Sequence, residues 1–383
     1  MTARPRSHPS TPSPDTIVIG GGIAGISAAV HLAEGGRRVV VIERTAIAAG
    51  ASGRNSGVVQ HPFDPVLVDL HLETVELYRR LVDEDGDGDF ALPDRPTGLL
   101  SVTHDEDVAR HEAAALAVSH PELEPTFLDA AEAQALESTL APGVAACRLA
   151  IGYPVGPASA TRAYARAAQR RGVEIRVGLA ASPWLDGERV RGVRLADGTT
   201  IAAPTVVVAA GPWSPELVDP TGAWRPIRPL WGVVVAVALA DPPSHVLEEA
   251  VSGIPIDSDG AHDDSHSFSL ITAQGSSSLG STFLEAEPDA AARVPGLVER
   301  GASFVPALAA APVGAVRACA RPLSLDGRPL VGAIPWLDGL WIVAGHGPWG
   351  ISTGPASGRL VADLITRLQA SPPADLDPAR FSA

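Results

Sequence analysis

The run Gly20-Gly21-Gly22-Ile23-Ala24-Gly25 carries the most specific chemistry in this sequence. It fits G-x-G-x-x-G and continues through Ala29 and Gly36 in the longer spacing G-x-G-x-x-G-x3-A-x6-G. Such a turn serves a diphosphate. Gly20 allows the tight turn, Gly22 lets the backbone approach a pyrophosphate, and Gly25 lets the following helix pack against the strand. Ile23 and Ala24 open that helix, whose N-terminal amides favour negative charge. Glu43 stands 18 residues beyond Gly25, placed to accept a bond from a ribose hydroxyl, and an acid there disfavours a 2′-phosphate. The motif alone leaves FAD and NAD both open.

Other chemistry-bearing clusters are weaker. Asp83, Asp85, Asp87, Gly88 and Asp89 follow the first half of a calcium loop, yet its twelfth position is Asp94 and the Pro-Asp-Arg-Pro at 93–96 breaks the helix that should follow, so a solvated acidic loop is expected. His262, Asp263, Asp264 and His266 lie in a Ser/Gly/Asp-rich stretch read as a loop over the substrate site, with His266 the candidate contact and no metal expected. The sequence contains no lysine, which excludes a lysine Schiff base, a Walker-type lysine and a lysine general base.

The elements that must position these residues follow from local pattern. Thr16 to Ile19 is a β-branched run that stops at the glycines, Ile23 to Glu34 reads as a helix, and Val39 to Ile42 as a second strand. From Val173 to Val208 turn signals at Asp186-Gly187 and Asp197-Gly198 suggest an antiparallel meander. Helices are expected at about 66–82 and 105–118, with a strand at 98–102 between them. Leu230 to Leu239 pairs with 268–272 and 278–282 as a second sheet, and two late strands precede a helix at 356–369. No internal repeat is visible.

Composition bounds the function classes. A chain of 383 residues has room for two or three domains. A formal charge of −15 argues against nucleic acid and anionic membrane as partners. Two cysteines, Cys147 and Cys319, are too few for a disulfide framework and point to the cytoplasm. No apolar stretch is long enough for a membrane span. Residues 1–14 read as a disordered leader without the apolar core of a signal peptide.

Four separated blocks together resemble the FAD-dependent D-amino acid oxidase superfamily, the group containing glycine oxidases, sarcosine oxidases and D-amino acid dehydrogenases. They are the fingerprint with Glu43-Arg44; GASGRNSGVV at 50–59; VVVAAGPWS at 206–214; and RPLSLDGRPLVG at 321–332 followed by AGHGPWGISTGPASG at 344–358. The resemblance spans residues 15 to 370 and implies FAD as cofactor. It places Ser52, Arg54, Asn55, Ser56 and Gly57 around the pyrophosphate and flavin edge, Ala181 against the adenine, and Ala210-Gly211 under the cofactor. It also lays Gly345, His346, Gly347, Gly350 and Ile351 along the flavin pyrimidine. Arg321 matches the residue that pairs with a substrate carboxylate over the flavin, a task suited to the guanidinium fork. His346 is a second candidate in catalysis, and Gln60 and His61, just after the flavin loop, are candidates to face the substrate. Cys319 falls where sarcosine oxidase-like members link FAD covalently. The sequence departs from them in Arg321 two residues on, where they carry Tyr, and in Trp349, where they carry Lys. A non-covalent cofactor is therefore expected, with Cys319 the point of attachment if a link forms.

The resemblance implies an α/β (α+β) flavoprotein with a Rossmann-like FAD-binding domain (15–82, 146–222 and 317–383) and a largely antiparallel substrate domain (83–145 and 223–316). The implied activity is oxidation of an amino acid or related carboxylate-bearing amine, by hydride transfer to flavin N5, giving an imine, with oxygen or an electron carrier as acceptor. GRNSGVV also resembles the corresponding loop of L-2-hydroxyglutarate dehydrogenases, so 2-hydroxy-acid oxidation is the alternative, and a flavin subunit of a heteromeric dehydrogenase a third reading. Substrate identity and oligomeric state do not follow from the sequence.

Overall fold

The computed structural model describes residues 13–86, 88–250 and 266–381. The chain begins β1 (Thr16–Ile19), α1 (Ile23–Glu34), β2 (Val39–Glu43), α2 (Ala51–Arg54), β3 (Val58–Val59), α3 (Pro65–Asp85) and β4 (Leu99–Thr103). It continues α4 (Glu106–Ser119), β5 (Thr126–Leu128), α5 (Ala130–Leu136), β6 (Ala145–Leu149), β7 (Tyr153–Pro154), α6 (Ser159–Arg170) and β8 (Glu174–Val177). Next come β9 (Ala181–Asp186), β10 (Arg189–Leu195), β11 (Thr200–Ala202), β12 (Thr205–Val208), α7 (Ser214–Val218), β13 (Ile227–Val237) and β14 (Val246–Glu249). The last group is β15 (His266–Ala273), β16 (Ser276–Thr282), α8 (Ala290–Phe304), β17 (Val313–Ser324), β18 (Leu330–Ala333), β19 (Leu340–Ala344) and α9 (Gly350–Thr366).

Two sheets dominate. The six-stranded sheet has the order β18-β19-β12-β1-β2-β8, parallel except at β18–β19. Its central strands are apolar except at their ends, Thr16, Glu43 and Thr205, because both faces are covered. Val18, Val41 and Val207 pack with α1, α3, α6 and α9, while Ile17, Ile42 and Val206 pack under β10. The eight-stranded sheet, β17-β13-β16-β15-β14-β4-β6-β5, is antiparallel except at β14–β4. The mixed architecture expected from sequence is the one observed.

Three local readings change. Only β9–β11 form an antiparallel meander; β8 and β12, read as part of it, join the parallel sheet beside β2 and β1. The boundaries expected at 146 and 317 fall inside β6 and β17, both strands of the eight-stranded sheet. The acidic loop is not simply solvated: Asp85, whose side chain is 1% exposed, takes bonds of 2.9 and 2.6 Å from Arg166, and Asp89 pairs with Arg162 and Arg166. Asp87 lies outside the described residues, and no group that could hold a metal occurs among the described ones.

The last helix starts at Gly350, six residues earlier than expected, because it runs through Pro355. A proline there cannot donate to the carbonyl of Ile351. The Tyr78 hydroxyl of α3 donates to that carbonyl instead, at 2.7 Å, and Thr74 Oγ1 accepts the next amide, Ala356 N–H, at 3.2 Å. Against α1 the crossing is close: a Cβ at Gly358 would lie 2.8 Å from Ser27 Cβ. Tyr78→Phe leaves the buried Ile351 carbonyl without a donor. It should cost about 1–3 kcal/mol, read as a lower thermal midpoint and easier cofactor loss from a protein that still folds.

Candidate functional site

A cavity of about 650 Å³ opens at the carboxyl ends of β1, β2 and β12, under the face of the eight-stranded sheet that carries β13 and β17. This is the switch point of the parallel sheet, where strands leave β1 on either side. The fingerprint builds one wall. Gly20 has φ +122°, and any side chain there would strike the Ala209 carbonyl; a Cβ at Gly25 would lie 2.9 Å from Ala209 Cβ. Gly22 differs, since a Cβ there would meet only Ser52 Oγ, at 3.1 Å. Ser52 Oγ accepts from Ile23 N–H at 3.0 Å. The N-cap residues Gly22 and Trp349 make no side-chain cap, so apart from the Ser52 bond to Ile23 N–H no side chain closes these ends, and Ile23, Ala24, Gly350 and Ile351 at the N-termini of α1 and α9 line the cavity. Two helix ends therefore place positive field on the space.

Glu43 Oε2 accepts from Gly21 N–H at 2.7 Å and Oε1 from Thr45 N–H at 2.8 Å. A carboxylate has about four lone-pair sites, so acceptor capacity is left on the cavity side. Arg44 stacks on Trp213, with the guanidinium carbon 3.9 Å from the ring centroid, and both line the cavity. Ala181, Ala210, Gly211, Cys319 and Gly347 line it too. Asn55 ties the 50–57 loop together: its Nδ2 donates to the carbonyls of Ala51, Ser52 and Pro157, and its Oδ1 accepts from Gly57 N–H. Arg54 donates to Ala318 O at 3.2 Å, clasping the loop to β17. Gly25, Ser56, Gly57 and Gly345 stand behind the lining rather than in it.

Arg321 is a partly buried cation of the site. Its side chain crosses β13 and reaches β16, where Nη1 donates to Thr282 O at 2.9 Å and Nη2 to Ser281 Oγ at 2.6 Å. The Phe283 ring lies 4.6 Å from the guanidinium carbon. The crossing exists because position 232 is glycine; a Cβ there would overlap the guanidinium. Burial lowers the pKa of Arg321, and its polar partners are all neutral. With five donors on the group, three remain for an anion.

His346 lines the same cavity, 4% exposed, with Nε2 unbonded. Burial holds its pKa down, at about 4, so the ring is neutral near pH 7. Gln60 and His61 do not reach the lining. His61, its pKa lowered by burial, packs edge-on against His71 at 5.2 Å, and Gln60 Nε2 donates to Glu248 Oε2 at 3.0 Å. His266 opens β15 opposite Thr282, while 262–264 lie outside the described residues. Trp213, Ser281, Phe283 and Glu248 were not singled out from sequence. Each acquires its place only through a contact across strands or loops. No helix among the described residues is long and apolar enough to cross a membrane.

These residues suit a bound dinucleotide: a cavity of the right size for an organic ligand, a side-chain-free approach at Gly22, two helix N-termini facing the space and an acid beside them. Comparison with known proteins agrees. The family described as FAD dependent oxidoreductase (DAO) matches residues 15–364. The glycine oxidase of Pseudomonas aeruginosa is 31% identical over 369 residues, 91% of this chain and 94% of the relative. That of Pseudomonas putida is 28% identical over 384 residues, 97% and 98%. Among solved structures, glycine oxidase from Geobacillus kaustophilus superposes with a TM-score of 0.80 at 26% identity, covering 97% of this chain and 98% of that one.

Proposed function

This chain belongs to the DAO family of FAD-dependent oxidoreductases, and from that premise we propose that it oxidises an amino acid or related amine bearing a carboxylate to the imine. The observation that carries the reading is Arg321: a partly buried guanidinium on the cavity wall whose polar partners are a carbonyl and a hydroxyl. Such a group requires an anion to be at ease, and a carboxylate matches its fork. FAD, when bound, supplies the acceptor for the two electrons and the hydrogen of the substrate α C–H bond.

The chain's own residues position and shield. Arg321 fixes the carboxylate and so the direction in which the α-carbon faces the cofactor. Ser281, Thr282 and Phe283 hold the fork in place, and Gly232 keeps its crossing open. Neutral His346 brings no charge to the cofactor edge, and the α9 N-terminus favours negative charge there. Gly22, Ser52 and the α1 amides take the diphosphate; Glu43 takes the ribose; Ala181, Arg44 and Trp213 border the adenine end. No acid–base side chain is assigned: the substrate reacts as the neutral amine, its ammonium proton having been given up to water, and its lone pair forms the new C=N bond as the α-hydrogen leaves as hydride, giving the protonated imine. FAD is held non-covalently, with oxygen or an electron carrier taking the electrons, and the enzyme works in the cytoplasm; the two cysteines, both buried and unpaired, support that setting.

Gly232→Ala tests the positioning of the fork: KM for the carboxylate substrate should rise about tenfold or more, with flavin content unchanged. The test of the function itself is anaerobic bleaching of the flavin band by two pools, one of D-, L- and N-methyl amino acids and one of 2-hydroxy acids. Bleaching by the first supports amine oxidation; bleaching by the second alone replaces it with hydroxy-acid oxidation. Bleaching by neither moves the reading to a subunit that needs a partner. Acid precipitation that leaves the flavin in solution would confirm non-covalent attachment.

A further inference from the structure

Arg321 and Glu248 share one face of the eight-stranded sheet. Glu248 on β14 stands opposite Ser269 on β15, and Ser269 opposite Gly280 on β16. Gly280 adjoins Ser281, the hydroxyl that receives Arg321. Leu247, Leu270 and Leu279, one position along in each strand, pack on the opposite face in the core beneath α8. The guanidinium lies over β16 and Glu248 two strands away, about 10 Å at the usual strand spacing. Between them the wall is low and mixed, with Val234 Cγ2 3.4 Å from the Cβ direction of Gly280 beside two serine hydroxyls. The Ser269 hydroxyl is buried without a partner, and Gly280 has no side chain, its Cβ direction pointing at Ser269 Oγ, 3.1 Å away, and at Ser56 Oγ of the cofactor loop, 3.8 Å away.

Glu248 has little in the protein to answer it. Among the described residues its carboxyl accepts one bond, from Gln60, and faces no cation; its charged neighbour is another acid, Glu112, itself bonded to Ser101. Burial raises its pKa. Gln60 is anchored in turn by its own N–H on Ser352 Oγ, one residue from the cavity-lining Ile351. Glu248 is partly buried and, like Ser269, stands outside the cavity lining; an acid so placed without a cation is costly, unless a molecule reaching past Arg321 brings one.

We infer that Glu248, presented by Gln60, is the specificity-determining residue for the far end of the substrate, and that the substrate class is α-amino acids whose side chain ends in a cationic nitrogen. Arg321 takes the carboxylate, Ser269 faces the connecting chain, and Glu248 takes the terminal ammonium or guanidinium. This rests on the reading of Arg321 as the carboxylate site.

The test uses the holoenzyme and carboxylates that cannot be oxidised, so that it does not depend on amine oxidation. Perturbation of the flavin absorption gives dissociation constants for 4-aminobutanoate, 5-aminopentanoate and 6-aminohexanoate, each against the plain carboxylate of the same length. At one of these lengths the amino compound should bind on the order of tenfold tighter, and Glu248→Gln should abolish that preference. In parallel, the kcat/KM ratio of ornithine or lysine over norvaline or norleucine, in the reactive configuration, should fall by a similar factor in the variant. Plain carboxylates binding as tightly as their amino counterparts at every length in the unaltered protein would overturn the inference, and that arm needs no variant to fold. So would a preference that survives in Glu248→Gln, or a variant that lowers both substrates equally, the mark of a structural tie between β14 and the Gln60 loop. If neither carboxylate series binds, or binding ignores Arg321→Ala, the carboxylate reading fails and this inference with it. If the amino series is preferred while no amino acid bleaches the flavin, only the amine-oxidation reading fails.

Discussion

Arg321→Ala should lower kcat/KM for the carboxylate substrate on the order of 10²-fold or more while the purified protein keeps its flavin. Removing one partner of a buried charged pair costs about 3–5 kcal/mol, and each tenfold in rate corresponds to about 1.4 kcal/mol. The substitution leaves the substrate carboxylate facing a carbonyl, a hydroxyl and the ring of Phe283, none of which carries charge. Arg321→Lys keeps a charge but not the fork, and a lysine ammonium cannot bond Ser281, Thr282 and both carboxylate oxygens in one plane; it should recover only part of the loss. Steady-state kinetics on a bleaching substrate decides. A kcat/KM within a few-fold of the unaltered protein would remove Arg321 from the substrate site.

The second large effect is on cofactor occupancy. Gly22→Leu should yield a folded protein that purifies without a visible flavin band. At Gly22 the added Cβ meets only the Ser52 hydroxyl, so the polypeptide tolerates it, but the rest of the side chain fills the space at the α1 N-terminus that we propose for the diphosphate. Gly20→Leu makes the contrast: there a side chain strikes the Ala209 carbonyl at a positive φ, and loss of fold should accompany loss of flavin. Absorption near the flavin maximum, set beside circular dichroism, separates the two. A Gly22→Leu protein with full flavin would mean that the diphosphate does not lie at this turn.

What was legible in the sequence was what is written locally. The fingerprint announces its strand, helix and second strand within 28 residues of Thr16, and Asp186-Gly187 and Asp197-Gly198 mark real turns. Sheet membership was not legible, because β8 and β12 look like the strands next to them and are sorted only by pairing with β2 and β1. Pro355 misled for a related reason: its repair by Tyr78 and Thr74 comes from nearly three hundred residues away. In the site, Arg321 could be found by its surrounding block, but the glycine it crosses and the serine it bonds come from other strands. Gln60 was noticed for standing next to the cofactor loop, and the contact that gives it meaning, Glu248, carries no signal of its own.

The packing of α9 on α1 has a bearing on how the protein is made. The cofactor cavity takes its first wall from residues near the start of the sequence and its last from Gly347, Gly350 and Ile351, with α9 seated through Gly358 against Ser27 and Ala28. During translation the fingerprint emerges well before α9, and the space it serves stays open on one side until α9 has left the ribosome and docked. FAD capture then waits for α9, and until α9 docks the growing chain must keep its apolar β1 and α1 surfaces out of trouble without help from the cofactor.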